Sequence, residues 1–382
     1  MTVENEMTNI QPNARLKEQP ESALPNSVAA LKVTLFDKQP EILAAMHDDI
    51  AMARKSIYLE IYRFGNDYIG ERFRDILAVK CRQGLTVKLL LDSWGTPPSP
   101  AFFDPLTSNG GEVKYFRKIK FFVDFFTKNH RRNHRKVLVI DDEISYIGSP
   151  NITGYSVNWR EISLRIEGPI AHLFKKTMLD SSKLFDKYIF NKFSYKKTIY
   201  YNGFEIIQDL PSIYRQQIKK RYQKLITNAT KEIIIETPYF LPGYKLRKNL
   251  AQAANRGVKV VVIMPRHSDV KIVDLLRDKY LKFFYNNGLD MHFYTASNLH
   301  AKCMLVDKDI FAVGSANFDY RSFRYQHEIM LVGKQKDIVE MVDLHLQESL
   351  KGCQPFNYES YLRRPLIERA FGWMLLPFRH LF

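Results

Sequence analysis

The chain has 382 residues with ordinary apolar and charged fractions, 45% and 26%, which excludes general disorder and allows a sizeable core. Its 57 Lys and Arg against 41 Asp and Glu, a formal +16, favour anionic partners, either nucleic acid or an acidic lipid surface. Three scattered cysteines, Cys81, Cys303 and Cys353, give no disulfide framework and no paired-cysteine zinc signature, which suits a reducing compartment.

Residues 1–30 are polar, contain Pro12, Pro20 and Pro25, and read as a disordered leader rather than a signal peptide or membrane anchor. From residue 31 strands and helices alternate. A strand at Val33–Phe36 leads to an apolar-periodic helix over about 40–53, then a nearly all-apolar strand at 57–62. A second helix stops at Gly84, and another buried strand covers 85–91. The order then returns: strand Glu205–Gln208, helix over about 211–227, strand 232–237, a helix ending at Gly257, strand 258–264. Continuous apolar strands between helices predict an α/β fold whose sheets are covered on both faces.

The return is a duplication. Lys55–Phe64 reads against Lys231–Phe240, and the stretch from Arg82 through Gly84 to Val87 against that from Asn255 through Gly257 to Val260. His134-x-Lys136-x4-Asp141 reads against His300-x-Lys302-x4-Asp307, and Gly148-Ser149-x-Asn151 against Gly314-Ser315-x-Asn317. The organisation expected is a leader at 1–30, one α/β half at 31–198, a second at 199–352, and an amphipathic tail at 353–382. The halves should pack face to face as a pseudo-dimer around one shared site, with the seam near 190–204.

His and Lys two apart on a strand leave it on the same face. Two such pairs suit a phosphodiester, whose charge repels nucleophiles and whose leaving group is poor. Lys136 and Lys302 would neutralise the non-bridging oxygens, with Asn151 and Asn317 as further donors, and Ser149 and Ser315 offering neutral hydrogen bonds. One imidazole would attack phosphorus; the other would protonate the leaving alkoxide and then deprotonate the acceptor. Asp141 and Asp307 stand an odd number of residues away at the opening of a turn, so they read as structural partners. A carboxylate usually holds a catalytic imidazole in one tautomer, and Glu161 and Glu328, each opening an apolar strand, are the candidates. A zinc site using His130 and His134 is the rival, disfavoured by the crowd of Arg131, Arg132, Arg135 and Lys136. No metal or cofactor is expected.

These paired motifs resemble the phospholipase D superfamily over roughly residues 31–350. Thr237-Pro-Tyr239-Phe-Leu-Pro242, Arg165–Pro169 and Gly314–Arg324 resemble its bacterial cardiolipin synthases, in their shorter, peripheral form without N-terminal transmembrane helices. The resemblance implies His134 as the nucleophile and His300 as the acid/base, a choice that symmetry leaves open. It implies phosphatidyl transfer between two phosphatidylglycerol molecules, giving cardiolipin and glycerol. A phospholipase D, another phosphatidyltransferase and a metal-independent nuclease are the alternatives. The chain departs from its relatives at Tyr325–Glu328, which places His327 beside Glu328, and at Gly148-Ser149, where many synthases carry two glycines.

Surface chemistry bears on lipid against nucleic acid. The stretch 117–132 sets Phe121, Phe122, Val123, Phe125 and Phe126 between basic flanks, as an interfacial segment would; a buried helix or a base-stacking platform are the other readings. In the tail, Ile367, Phe371, Met374, Leu375 and Phe378 follow helical spacing beside Trp373, with Pro377 set to kink or end the helix. This suits membrane contact, with docking on the protein's own body as the alternative. The expectation is a peripheral enzyme on the cytoplasmic face of the cell membrane, acting on anionic phospholipid, with no nucleic-acid partner.

Overall fold

The computed structural model describes residues 31–116, 131–184, 197–211 and 215–377. The expected leader, the basic-aromatic stretch at 117–130 including His130, residues 190–196 of the expected seam, and Phe378 lie outside the described residues.

The first half runs β1 (Lys32–Lys38), α1 (Gln39–Met52), β2 (Ser56–Ile61), α2 (Tyr68–Arg82), β3 (Thr86–Asp92), α3 (Asp104–Thr107) and β4 (Glu112–Phe116). Then come β5 (Arg132–Asn133), β6 (Val137–Ile140), β7 (Ile144–Gly148), β8 (Arg160–Glu167) and α4 (Ile170–Leu184). The second half runs β9 (Thr198–Tyr201), β10 (Phe204–Asp209), α5 (Gln217–Asn228), β11 (Glu232–Glu236), α6 (Tyr244–Asn255), β12 (Lys259–Pro265), α7 (Lys271–Asn286) and β13 (Asp290–Tyr294). It continues with β14 (Cys303–Val306), β15 (Ile310–Gly314), α8 (Tyr320–Tyr325), β16 (Gln326–Gly333) and α9 (Lys336–Lys351). Last come β17 (Cys353–Pro355), α10 (Tyr358–Leu362) and α11 (Leu366–Leu375).

The first sheet has the order β1-β8-β7-β6-β2-β3-β4, and the second contains β10-β16-β15-β14-β11-β12-β13. Aligned by the repeat, these are the same order. Successive residues of β2 and β11 serve opposite faces, which is why both strands are mostly apolar, with Ser56, Glu60, Glu232 and Glu236 the exceptions. Ile57, Leu59 and Ile61 join the core beneath α1 and α2, and Ile233 and Ile235 join the one beneath α5 and α6. Tyr58 and Ile234 face the opposite way, into a cluster shared by both halves. That shared cluster carries Ile162 and Leu164 of β8, Ile329 and Leu331 of β16, Phe174 of α4, and Val342 and Leu346 of α9. The halves are therefore two layers of one body, with α4 and α9 filling the space between sheets.

Helix α5 begins at Gln217, later than the expected 211. The Asp209 carboxylate accepts the N–H groups of Gln217 (2.7 Å) and Ile218 (3.0 Å), which satisfies orphan donors and fixes the start there. The tail differs as well. Leu375 and Leu376 pack on Leu241, Leu276 and Tyr320, while Trp373 and Met374 are 69% and 61% exposed. Met374 and Leu375 thus part company, because α11 lies along α7 and Leu375 faces that contact while Met374 does not. Among the described residues, no helix is long and apolar enough to cross a membrane.

Candidate active site

The His-x-Lys pairs precede the strands on which they were expected, since β6 begins at Val137 and β14 at Cys303. Their backbone groups are spent on the other half instead. β5 pairs in parallel with β16, and His134 N donates to His327 O at 3.0 Å. Likewise Arg160 N donates to Asn298 O and His300 N donates to Arg160 O, both at 2.8 Å. Each motif is held extended by the partner half, and the strand hydrogen bonding inside its own half starts only afterwards.

The carboxylates cross over in the same way. His134 Nδ1 lies 3.0 Å from Glu328 Oε1, and His300 Nδ1 lies 2.8 Å from Glu161 Oε1. With a carboxylate accepting at Nδ1, the lone pair of each ring stays on Nε2. Ser149 donates its hydroxyl to Glu161 and Ser315 to Glu328, so both serines, wholly buried, steady the carboxylates. The preceding glycines allow the close approach this needs. A Cβ added to Gly148 would lie 2.1 Å from Ile162 O, and one on Gly314 would lie 2.3 Å from Ile329 O.

Lys136 Nζ donates to His134 O at 2.8 Å, and Lys302 Nζ to His300 O at 2.6 Å, so each ammonium is buried beside its own histidine. Asn151 Oδ1 accepts Arg63 N at 3.2 Å; Asn317 Oδ1 is buried without a hydrogen-bond partner. A cleft of about 320 Å³ is lined by His134, His300, Asn151 and Asn317 together, with Tyr62, Arg63, Trp159, Asp269 and Arg321 among the others. Tyr62 packs edge-on against His134 at 5.1 Å and Trp159 against His300 at 5.3 Å.

Asp141 and Asp307 stand at the turns. Asp141 accepts the N–H groups of Arg54, Lys55 and Ser56, and Asp307 those of Thr230, Lys231 and Glu232. Each carboxylate pins its hairpin to the start of β2 or β11. Asp141 with Asp142, and Asp307 with Lys308, adopt φ between 53 and 62, the left-handed pair of a tight hairpin turn.

The electrostatics break the symmetry. Burial drives the pKa of His134 well below the usual histidine value, and Lys136, Lys302, His300 and Arg321 push it the same way. Burial also lowers His300, but Glu161 pulls it back up. Glu161 stays below the usual carboxylate range: burial raises it, and the charge and hydrogen bond of His300, with Lys302 and Ser149, outweigh that. Burial pushes Glu328 up instead, with Lys136 and Ser315 opposing. Lys302 is lowered by burial to about 8, against the pull of Glu161 and Glu328. The site thus offers two imidazoles held below the usual histidine value, His134 the further and His300 backed by a firm carboxylate, beside two buried lysines.

The sequence matches the family described as "Cardiolipin synthase, PLD-like domain" over residues 46–185 and 222–350. It is 31% identical over 357 residues to the major cardiolipin synthase ClsA of Bacillus subtilis, covering 86% of this chain and 71% of that protein. A cardiolipin synthase of Clostridium perfringens strain 13 is 32% identical over 357 residues, with 88% and 74% covered. The chain belongs to the cardiolipin synthase family. This is a phospholipase D-like family of phosphatidyltransferases acting on phospholipids. The fold also matches a phosphatidylserine synthase of Haemophilus influenzae Rd KW20, with a TM-score of 0.73, 14% identity, and 92% and 95% of the two chains covered.

In this member of the cardiolipin synthase family, two supporting arginines were not singled out from the sequence. Arg135 fills the variable place of the first motif, where the second has Ala301. It donates to Glu328 O (3.2 Å), Gln208 Oε1 (3.0 Å), Asp209 O (3.2 Å) and Ser181 Oγ, bracing the strand that carries Glu328. Arg160, next to Glu161, donates to Ser349 Oγ (2.7 Å) and His345 O (2.9 Å) and pairs with Asp37 (3.2 Å). The signal available was the break in the repeat: an arginine standing where its partner has alanine or histidine.

Beneath Arg160, the ligand atoms of Glu236, Cys303 and His345 lie within 4.8 Å of one another. Burial opposes charge on His345, but Glu236 and Asp37 outweigh it and raise the pKa. His345 Nε2 is engaged by Glu236 at 2.5 Å, and both carboxylates favour the protonated imidazole.

Proposed function

We propose that this protein is a cardiolipin synthase that joins two phosphatidylglycerol molecules and releases glycerol. His134 is the nucleophile and His300 the acid/base. Nε2 of His134 forms a bond to phosphorus as the bond from phosphorus to the glycerol oxygen breaks, and His300 gives that oxygen its proton. The hydroxyl of a second phosphatidylglycerol then yields its proton to His300, its oxygen bonds phosphorus, and the bond to His134 breaks. Lys136, Lys302, Asn151 and Asn317 bear the charge that grows on the non-bridging oxygens. Glu328, Glu161, Ser149 and Ser315 hold the imidazoles, and Asp141 and Asp307 hold the hairpins.

The observation that carries this reading is the crossed pair of imidazoles, each held at Nδ1 by a carboxylate of the opposite repeat and both lining one cleft. The stronger downward push on His134 supports its assignment as nucleophile, because an attacking nitrogen must be unprotonated. The halves at 31–198 and 199–352 act as one catalytic unit. The tail at 353–382 contributes to peripheral attachment at an anionic bilayer, on the cytoplasmic face.

The test is to incubate the purified protein with phosphatidylglycerol vesicles and analyse the lipids formed. Cardiolipin and free glycerol in equal amounts are expected, in EDTA as well, since the lysines supply the positive charge. Phosphatidic acid as the main product would make the protein a phospholipase D. Cleavage of DNA or RNA without lipid turnover would overturn the substrate. Acid-quenched turnover with labelled donor should leave phosphate on His134; label on His300 would reverse the roles.

A further inference from the structure

The acceptor in the second step differs from a simple alcohol in one respect: it brings its own phosphate. The cleft must then hold two anions, the phosphorus centre on His134 and the phosphodiester of the incoming lipid. Lys136 and Lys302 are buried against the backbone of the two histidines, and the proposed reaction assigns both to the first. A second phosphate left unpaired in the same cleft would be costly, so it needs a cation of its own.

Arg63 lines the cleft and, among the described residues, makes no ion pair with a carboxylate. Its Nε is buried with no hydrogen-bond partner. Its backbone is fixed, because Arg63 N donates to Asn151 Oδ1 at 3.2 Å and Ile152 N donates to Arg63 O at 3.1 Å. The guanidinium carbon stands 5.3 Å from the ring centre of Tyr155. Tyr155 packs on Trp159 at 5.3 Å, and Trp159 on His300 at 5.3 Å. An aromatic wall therefore runs from the acid/base histidine to this arginine.

The repeat sharpens the point. Arg63 aligns with Tyr239, whose hydroxyl donates to Asp269 at 2.6 Å. One wall thus presents an uncommitted cation where the equivalent wall presents a phenol bound to an acid. Two halves that share the reacting groups differ here, as the two lipids differ in the second step.

We propose that Arg63 binds the phosphate carried by the acceptor lipid, placing the acceptor's hydroxyl beside His300, and so selects a phosphate-bearing alcohol over water or a neutral alcohol. This rests on the proposed phosphatidyl transfer through His134. A planar guanidinium suits the task, since it can donate two parallel hydrogen bonds to phosphate oxygens.

The test is a competition for one intermediate. The full-length protein is given phosphatidylglycerol vesicles in buffer containing ethanol, and the ratio of cardiolipin to phosphatidylethanol is measured. Both products leave the same phosphohistidine, so the ratio does not depend on how much enzyme is folded or how fast the donor reacts. Arg63→Met should lower the ratio by about tenfold or more, and Arg63→Lys should restore part of it. A ratio unchanged within about twofold in an active Arg63→Met protein would overturn the proposal. Should Arg63→Met form neither product, Arg63→Gln is measured in its place, and an unchanged ratio there, or loss of both products again, overturns it equally. A wild-type protein that forms neither lipid would instead sink the underlying reaction.

Discussion

Nδ1 of His134 lies 3.0 Å from the carboxylate of Glu328, a residue 194 positions further along the chain and in the opposite repeat. The reciprocal pair, His300 with Glu161, spans 139 positions. Neither repeat orients its own imidazole. Glu328→Gln should therefore disturb His134 and leave His300 nearly untouched, with the reverse for Glu161→Gln. Histidine ring resonances in NMR spectra report this directly. Each variant should also lose about 100-fold or more in kcat while remaining folded, because a misoriented or wrongly protonated imidazole is a poor catalyst. An effect on the histidine of the same repeat would contradict the crossed arrangement.

The pH profile should move in a stated direction. In the proposed mechanism His300 must carry a proton to release the first alkoxide; burial lowers its pKa, and Glu161 opposes that in part. Replacing Glu161 by Gln removes a charge that favours the imidazolium, so the alkaline limb of kcat/KM should shift to lower pH. In the wild type, a bound phosphodiester adds negative charge beside His300. The alkaline limb of kcat should accordingly lie at higher pH than that of kcat/KM. Coincident limbs, or a shift to higher pH in Glu161→Gln, would count against His300 as the proton donor.

His345 should be worth more to stability than to chemistry. Its Nε2 meets Glu236 at 2.5 Å and its Nδ1 lies 3.5 Å from Asp37, all in a buried setting beside Arg160. Replacing it by Leu leaves the buried Glu236 without its direct cationic partner, while Asp37 keeps Arg160, and should cost about 3–5 kcal/mol in denaturant unfolding. The sign of the pH effect follows from the raised pKa. The stabilisation is complete below the ordinary histidine value of 6.5 and fades as pH rises through the higher folded value. His345→Leu should abolish that dependence.

The tail's outward residues can be separated from its inward ones. Tyr361 donates its hydroxyl to Asp278 O at 3.0 Å and Arg364 pairs with Asp278 at 2.8 Å, so deleting 361–382 would damage folding. Trp373 and Met374 point to solvent and can be exchanged for Ser at about 0.5 kcal/mol or less. That double change should weaken binding to phosphatidylglycerol vesicles roughly tenfold in a co-sedimentation assay. Unchanged binding would remove α11 from the membrane surface.

What the sequence reveals is local or repeated; what it conceals depends on docking. The β-strand runs at 57–62 and 232–237 and the stops at Gly84 and Gly257 follow from periodicity and chirality, which act within a few residues. Glu161 and Glu328 were visible as carboxylates opening strands, but their partners were not, because the contact is made only when two halves meet. Arg135 lay in a position the motif leaves blank. His345 and Arg160 are 185 residues apart, on a helix and a strand that give no sign of each other. Spacing alone set Met374 with Leu375, and only the position of α7 divides them.

The crossed carboxylates also impose an order in time on a chain made from its N-terminus. A ribosome that has released the whole first repeat has exposed His134, Lys136 and Asn151, yet the imidazole still has no Glu328 to hold it and no β16 to pair with β5. Nor can Glu161 act before His300 exists. On the proposed mechanism the growing polypeptide stays inert toward lipid until almost the last strand of its second sheet has been translated and has docked, and His134 is armed only then.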